Sequence, residues 1–323
     1  GSTQATVVSV GQIMRPKLLA AGYKDSFAMA LIINASDIAY LIPPSIAMIL
    51  YGTLANTSVG ELFIAGIVPG VLLALLFSIY SYVYSIRYAD EIELTEKSSW
   101  KERLAAFKGS LLGLGFPILI IGGIYSGIVT PTEAASFAVL YAIFAECIFT
   151  RHLSAQDLWD SAVSTGLITA VVFILVGIGQ AFSWYISFEQ IPQGLLEPLN
   201  LENASPEFIL FVIAITFFIG CMFVDSLVVL LILTPIFVPI VIKLGFDPIW
   251  FGILFAMNMQ VSYLSPPFGP AAFYLKSVAP PDISLSDIFK AVWPFIILQL
   301  IALSIVLMFP DIVLWLPRMI NGY

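Results

Sequence analysis

The sequence predicts an all-α polytopic membrane protein, built from inverted repeats that carry re-entrant helical hairpins and two transmembrane helices broken at Pro-Pro pairs. Three observations predict it. The 323-residue chain is 60% hydrophobic and only 11% charged, far below the roughly one quarter charged residues of a soluble domain. Apolar stretches such as 62–83, 111–129, 162–182 and 288–306 reach the roughly 20 residues that cross a hydrocarbon core. Finally, YLIPPS at residues 40–45 returns as YLSPPF at residues 263–268, inside long apolar runs. Two adjacent prolines deny a helix two N–H donors and break it.

Taken in order, membrane segments are expected at 4–19, 26–57 (broken near Pro43) and 61–87. The charged stretch 87–108, RYADEIELTEKSSWKERLAAFK, reads as a solvated connector with an amphipathic helix on the membrane surface. Segments at 108–129, 132–150 and 161–186 follow. Thr130, Pro131 and Glu133 form the N-cap, first helical position and capping-box partner of the second of these. Beyond an acidic connection come 206–222, 225–243, 248–277 (broken near Pro266) and 288–315. Cytoplasmic loops are rich in Lys and Arg. With 87–108 inside, every one of the 13 basic residues except Lys243 and Arg318 falls at a cytoplasmic end. Trp184, Trp293 and Trp315 are expected as interface anchors. The chain divides into a first hairpin arm with a broken helix (1–57), connecting and scaffold helices (58–205), a second hairpin with a broken helix (206–277) and a C-terminal transmembrane helix (278–323).

The shift that carries the first Pro-Pro pair onto the second also aligns Pro16 with Pro239, Gly22 with Gly245 and Tyr51 with Tyr274. By the topology above, the first copy opens with a segment ending in the cytoplasm and the second with one ending outside, so the copies are inverted. Inverted repeats interrupted at matching positions point to a secondary transporter with its sites near the midplane. Broken backbone at that depth is tolerated only inside protein or lining a cavity.

Oxygen-rich clusters sit beside the breaks: NASD at 34–37 and NMQVS at 258–262. Others begin the copies at two expected hairpin tips, GSTQAT at 1–6 and GCMFVDS at 220–226. Hard cations take oxygen ligands. Ser2, Thr3, Asn34, Ser36, Asp37, Asp225, Ser226, Asn258 and Gln260 are therefore candidate ligands for Na⁺, the expected coupling ion. Thr3, Thr6, Ser226, Ser262, Pro266 and Pro267 are candidate substrate contacts, and Pro43, Pro44, Pro266 and Pro267 the helix breaks. Asp225 also reads as an N-cap before SLVVLL. Cys147 and Cys221 read as small apolar helix residues, and no transition-metal site is expected.

No nucleophile stands with a His partner, His152 being the one histidine, and no glycine-rich phosphate loop is present. An enzyme is therefore not expected, and ATP cannot power transport on this chain. A net charge of −8 without a basic patch argues against nucleic acid. A lipid bilayer is the expected environment.

The stretches GSTQAT, LIPPSIAMILYG, VGELFIAGIVPGVLLAL, GGIYSGIVTPTEAASFAVLYA, DSLVVLLILTPIFVPI and NMQVSYLSPPFGPAAFYLKSVAP resemble the large membrane (M) subunit of tripartite ATP-independent periplasmic (TRAP) transporters. The resemblance implies an elevator-type, Na⁺-driven importer of organic acids in a bacterial or archaeal inner membrane. Its implied partners are a periplasmic substrate-binding protein and a small membrane (Q) subunit. Such subunits normally begin further upstream. The last stretch is most similar to the branch described for mannitol-type and chloroaromatic or oxo-acid substrates. The family pattern usually has a small or hydroxyl residue where this chain has Asp37, and Gly where it has Ala39 and Ser262. Two alternatives stay open: a stand-alone cation-coupled carboxylate carrier of related architecture, and a channel or structural membrane subunit.

Overall fold

The structure is a computed structural model and describes residues 1, 3–88, 98–150, 153–189, 204–266, 269–278 and 283–321. All regular structure among them is helical. Seven stretches of helix are long and apolar enough to cross a membrane, as the composition requires of a multi-pass membrane protein. Packing divides the chain into two compact units, one of residues 1–94 with 179–323 and one of residues 95–178. This grouping follows contact, a different criterion from the four-part functional division expected from the sequence.

In the larger unit, α1 (Thr3–Ala20) leads through a tight turn to α2 (Asp25–Asp37). The turn needs a left-handed residue, and Gly22 supplies it at φ 87°. Gly22 N–H donates to Leu19 C=O (3.0 Å) and Tyr23 N–H to Leu18 C=O (3.0 Å). Arg15 clamps the pair by holding both oxygens of Asp25, at 2.7 and 2.5 Å.

α2 gives way to a 3-10 turn at Ile38–Tyr40, and helix resumes only at α3 (Ile46–Leu54). Pro43 and Pro44 lie in the gap. Its loose ends are tied by Ser45, whose hydroxyl donates to Tyr40 C=O (2.8 Å) and accepts from Met48 N–H (3.4 Å). Next come α4 (Val59–Ala65) and α5 (Ile67–Arg87). The segment expected over 61–87 is one span, Val59–Arg87, with a one-residue turn at Gly66 between its two helices. A Cβ there would lie 2.3 Å from the Leu41 carbonyl oxygen, so the gap after α2 seats itself against a glycine. Phe27 of α2 stacks on Tyr84 of α5 with ring centroids 3.7 Å apart, extending an aromatic column that includes Tyr80 and Phe295.

In the smaller unit, α6 runs unbroken over Trp100–Tyr125 from a capping box between Ser99 and Glu102. The helix expected within the charged stretch 87–108 is thus present from Trp100 as the start of α6, and residues 89–97 lie outside the described residues. Nothing between Lys108 and Leu111 interrupts the helix, and its polar first turns continue directly into the apolar span. α7 (Pro131–Phe144) opens on the expected capping box. Thr130 N–H reaches Glu133 Oε2 at 2.8 Å, and Glu133 N–H reaches the Thr130 hydroxyl at 3.3 Å. Thr130→Ala should cost about 1 kcal/mol, read as a lower thermal midpoint of the purified protein. A π-helical turn at Ala145–Thr150 and α8 (Ala155–Phe188) follow; His152 lies outside the described residues.

The larger unit resumes with α9 (Pro206–Phe223) and α10 (Ser226–Lys243), a helical hairpin whose tip is Val224 and Asp225. α1 and α10 each contain 18 residues. α10 stops as α1 does: Gly245 has φ 87°, and Gly245 and Phe246 donate to Ile242 and Val241 at 3.0 and 3.1 Å. α11 (Pro248–Leu264) is capped by Asp247 and buried along nearly its whole length. Ser265 and Pro266 separate it from α12 (Pro270–Val278). α13 (Leu285–Met308) and α14 (Asp311–Asn321) replace the single C-terminal helix expected through 315. Pro310 ends α13, because it has no N–H to offer the helical ladder. Trp184, Trp293 and Trp315 are exposed.

Candidate functional site

The breaks after α2 and α11 and the first turns of α1 and α10 gather buried polar groups in an otherwise apolar interior. Gln260 on α11 donates its Nε2 to the backbone carbonyl of Asp37 at 2.7 Å, joining the two breaks. Tyr40 and Tyr263, just past Asp37 and Gln260, meet edge to face with centroids 6.3 Å apart. Thr3, at the start of α1, lies beside Asp37 and Tyr40. Ser226, at the start of α10, lies with Ser262 against Cys221. Asn34 on α2 accepts from Gln299 on α13 at 3.4 Å.

The amides are all turned the same way. Asn34 Nδ2 donates to Ala30 C=O (2.7 Å) and Asn258 Nδ2 to Ala214 C=O (2.7 Å). Gln260 does the same to Asp37, so the N–H groups are spent on the fold. Five acceptor-only oxygens remain buried without a hydrogen-bond partner among the described residues: both of Asp37, and those of Asn258, Gln260 and Gln299. The hydroxyls of Thr3 and Ser226 are unpartnered too. An unsatisfied buried polar group costs about 1–3 kcal/mol. Groups left in this state are placed for a ligand that supplies positive charge or donors.

The remaining candidates divide. Ser36 donates to Ile32 C=O at 2.7 Å, and Ser262 donates to Asn258 C=O. Both are buried and keep lone pairs. Asp225 is exposed and caps α10, accepting from Leu227 N–H at 2.9 Å. Thr6 and Pro266 are half-buried. Ser2 and Pro267 lie outside the described residues.

The chain matches the family described as tripartite ATP-independent periplasmic transporter, DctM component, over residues 1–312. It belongs to that family. The large permease protein UehC of the ectoine/5-hydroxyectoine TRAP transporter from Ruegeria pomeroyi is 50% identical over 317 residues, covering 98% of this chain and 73% of that protein. The ectoine permease TeaC of Halomonas elongata is 49% identical over 316 residues, with the same shares covered. The isethionate TRAP transporter permease protein DctMQ of Oleidesulfovibrio alaskensis is 34% identical over 312 residues, covering 97% of this chain and 49% of that protein. The two relatives at about half identity carry ectoine names, not those of the substrate branch that the sequence resemblance suggested.

In this DctM-family permease, sequence reasoning missed Gln299, Tyr40 and Tyr263 as neighbours of the site. Gln299 carried a usable signal: an amide in the middle of a 24-residue apolar helix is costly there and calls for a reason. The tyrosines carried none, since aromatic residues are common in apolar helices.

Proposed function

We propose that this chain is the translocating subunit of a Na⁺-coupled importer in the inner membrane, served by a periplasmic binding protein and a small Q-type membrane subunit. The observation that carries the reading is the set of buried, unpartnered oxygens at the two helix breaks. Apart from those of Asp37, they fit a hard cation, which takes amide, hydroxyl and carbonyl oxygens without requiring nitrogen or sulfur. Thr3, Asn34 and Ser36 would serve one ion near the first break, and Ser226, Asn258 and Gln260 one near the second, with Asp225 at the rim. When bound, Na⁺ supplies positive charge to a region otherwise lined with acceptors. Each charge moved inward contributes about 2.3 kcal/mol per 100 mV of membrane potential.

An inverted duplication with elevator-like movement fits the same frame. Its support is the matched lengths and glycine turns of α1 and α10, and the meeting of residues 223 positions apart, Asp37 with Gln260 and Tyr40 with Tyr263. Under an approximate two-fold axis, equivalent residues meet where the axis passes.

For substrate, the names of UehC and TeaC favour ectoine, a small cyclic amidine bearing a carboxylate. Ectoine is a zwitterionic acid, so it falls within the expected organic acids while carrying no net charge. Thr3, Thr6, Ser226, Ser262 and Pro266 are the proposed contacts.

The test is uptake of labelled ectoine into proteoliposomes holding the complete membrane complex, with and without the binding protein and an inward Na⁺ gradient. Uptake should require both. Uptake without the binding protein would make this a stand-alone carrier, and flux without a gradient would make it a channel.

A further inference from the structure

We propose that Asp37 selects substrates by positive charge, its carboxylate receiving the delocalised cationic nitrogen group of the cargo, an amidinium in an ectoine-like zwitterion. The inference rests on the transport reading above and assigns a specificity-determining residue to it. It begins from an electrostatic imbalance. Asp37 is 0% exposed, and neither of its oxygens has a hydrogen-bond partner among the described residues. A carboxylate withdrawn from water without a counter-charge is among the costliest placements a protein can make.

Its position on the helix adds to the cost. Asp37 is the last residue of α2, where the helix dipole is negative and carboxylates are disfavoured. Asp225 and Asp247 of this same chain stand where carboxylates belong, at helix N-termini with backbone N–H groups to accept from. The groups around Asp37 do not relieve it. The Gln260 side-chain oxygen is another unpartnered acceptor, and the Thr3 hydroxyl beside the carboxylate brings no positive charge. The whole environment asks for a cation.

Two features point to an organic cation as its partner rather than a metal ion. The first is aromatic: Tyr40, one turn beyond Asp37, and Tyr263 cross at 82° beside it. Aromatic rings attract delocalised nitrogen cations through their faces, whereas a dehydrated Na⁺ needs oxygens. The second is the pair of free oxygens. Two parallel N–H groups of an amidinium match two carboxylate oxygens in the bidentate arrangement that makes such pairs strong. The substrate's own carboxylate stays with the hydroxyls and the ions of the proposed coupling site. On this reading, substrates bearing only negative charge, such as the C4-dicarboxylates named for a more distant relative at 34% identity, would meet a like charge at Asp37. Because Asp37 is fully buried, the cargo must reach it during the transport cycle and not from a resting surface.

The experiment uses the purified complete membrane complex in saturating Na⁺ and reads its thermal midpoint with acetamidinium, tetramethylammonium or acetate, in wild type, Asp37→Asn and Asp37→Glu. The expected result is stabilisation of the wild type by acetamidinium well above that by the other two, loss of it in Asp37→Asn and partial return in Asp37→Glu. The second arm is ectoine uptake. Asp37→Asn should lower it at least ten-fold while the Na⁺ concentration giving half-maximal residual uptake stays within two-fold of wild type. Equal stabilisation of wild type and Asp37→Asn, or none of either, would overturn the proposal. So would a loss of uptake accompanied by a large shift in the Na⁺ requirement, which would make Asp37 a Na⁺ ligand. Should the wild type bind acetamidinium through Asp37 yet not take up ectoine, the broader reading fails while the assignment of Asp37 stands. Asp37→Asn should melt no lower than wild type without ligand, since it removes an unpaired buried charge. A lower midpoint would show the carboxylate to be structural and would also overturn the proposal.

Discussion

Gly66→Ala is expected to leave little folded permease, with a thermal midpoint far below wild type in detergent. The added methyl would sit 2.3 Å from the Leu41 carbonyl oxygen and 2.7 Å from the Met48 methyl. The methionine can turn aside. The carbonyl cannot, because Leu41 lies in the gap between α2 and α3, which is anchored at both ends by helices and by the Ser45 hydroxyl. Relieving the clash means moving the gap or separating α4 from it. Overpacking of this kind costs about 1–3 kcal/mol and occasionally more; a fixed backbone oxygen places Gly66 at the upper end. Gly113→Ala is the control. No atom lies within 4 Å of a Cβ there, and alanine is the better helix former by about 1 kcal/mol, so the midpoint should hold or rise. Equal behaviour of the two variants would show that α4 and the gap do not depend on close approach.

Gln260→Leu is expected to destabilise the protein and to lower substrate uptake at least ten-fold. Leucine keeps most of the volume but cannot donate to the Asp37 carbonyl, now held at 2.7 Å. That buried carbonyl would lose its partner at a cost of about 1–3 kcal/mol. The side-chain oxygen facing the polar cluster would go as well. Gln260→Glu separates the two losses: it retains an acceptor but, when ionised, has no donor for the carbonyl. If the joint between the breaks is what matters, both variants lose stability and uptake. A Gln260→Leu protein that melts and transports like wild type would remove Gln260 from the mechanism.

Much of the helical architecture was legible because apolar runs and their breakers are local signals. The interruption after α2 is written in two prolines, the turns at Gly22 and Gly245 in residues that tolerate left-handed backbone, and the start of α7 in its capping box. What escaped was decided by contacts between distant residues. Gly66 sits in an apolar run that reads as continuous helix, and only the approach of Leu41 explains its role. Pro310 could have been read as the end of α13, but the apolar residues beyond it suggested that the span continued. The site shows the same division. Asn34, Asp37, Asn258 and Gln260 stood out as polar residues in apolar helices. Asn34 bonds one turn back to Ala30 within its own helix, but which other atoms face the fold and which face each other depends on Ala214 and Gln299, and no spacing rule connects these to them. Asp225 read both as a candidate ligand and as an N-cap, and the exposed residue at the hairpin tip makes that cap.

The shared orientation of the buried amides bears on how quickly the site can work. Their N–H groups are fixed to backbone carbonyls at 2.7 Å, so the oxygens are aimed before anything arrives. On the proposed reading, a cation reaching Asn258 and Gln260 would not wait for those side chains to turn, and little rotamer freedom would be left to lose on capture. The entropy of ordering these groups was settled when the chain folded. A site arranged in this way should load and release with little internal friction, leaving larger motions of the helices to set the pace of turnover.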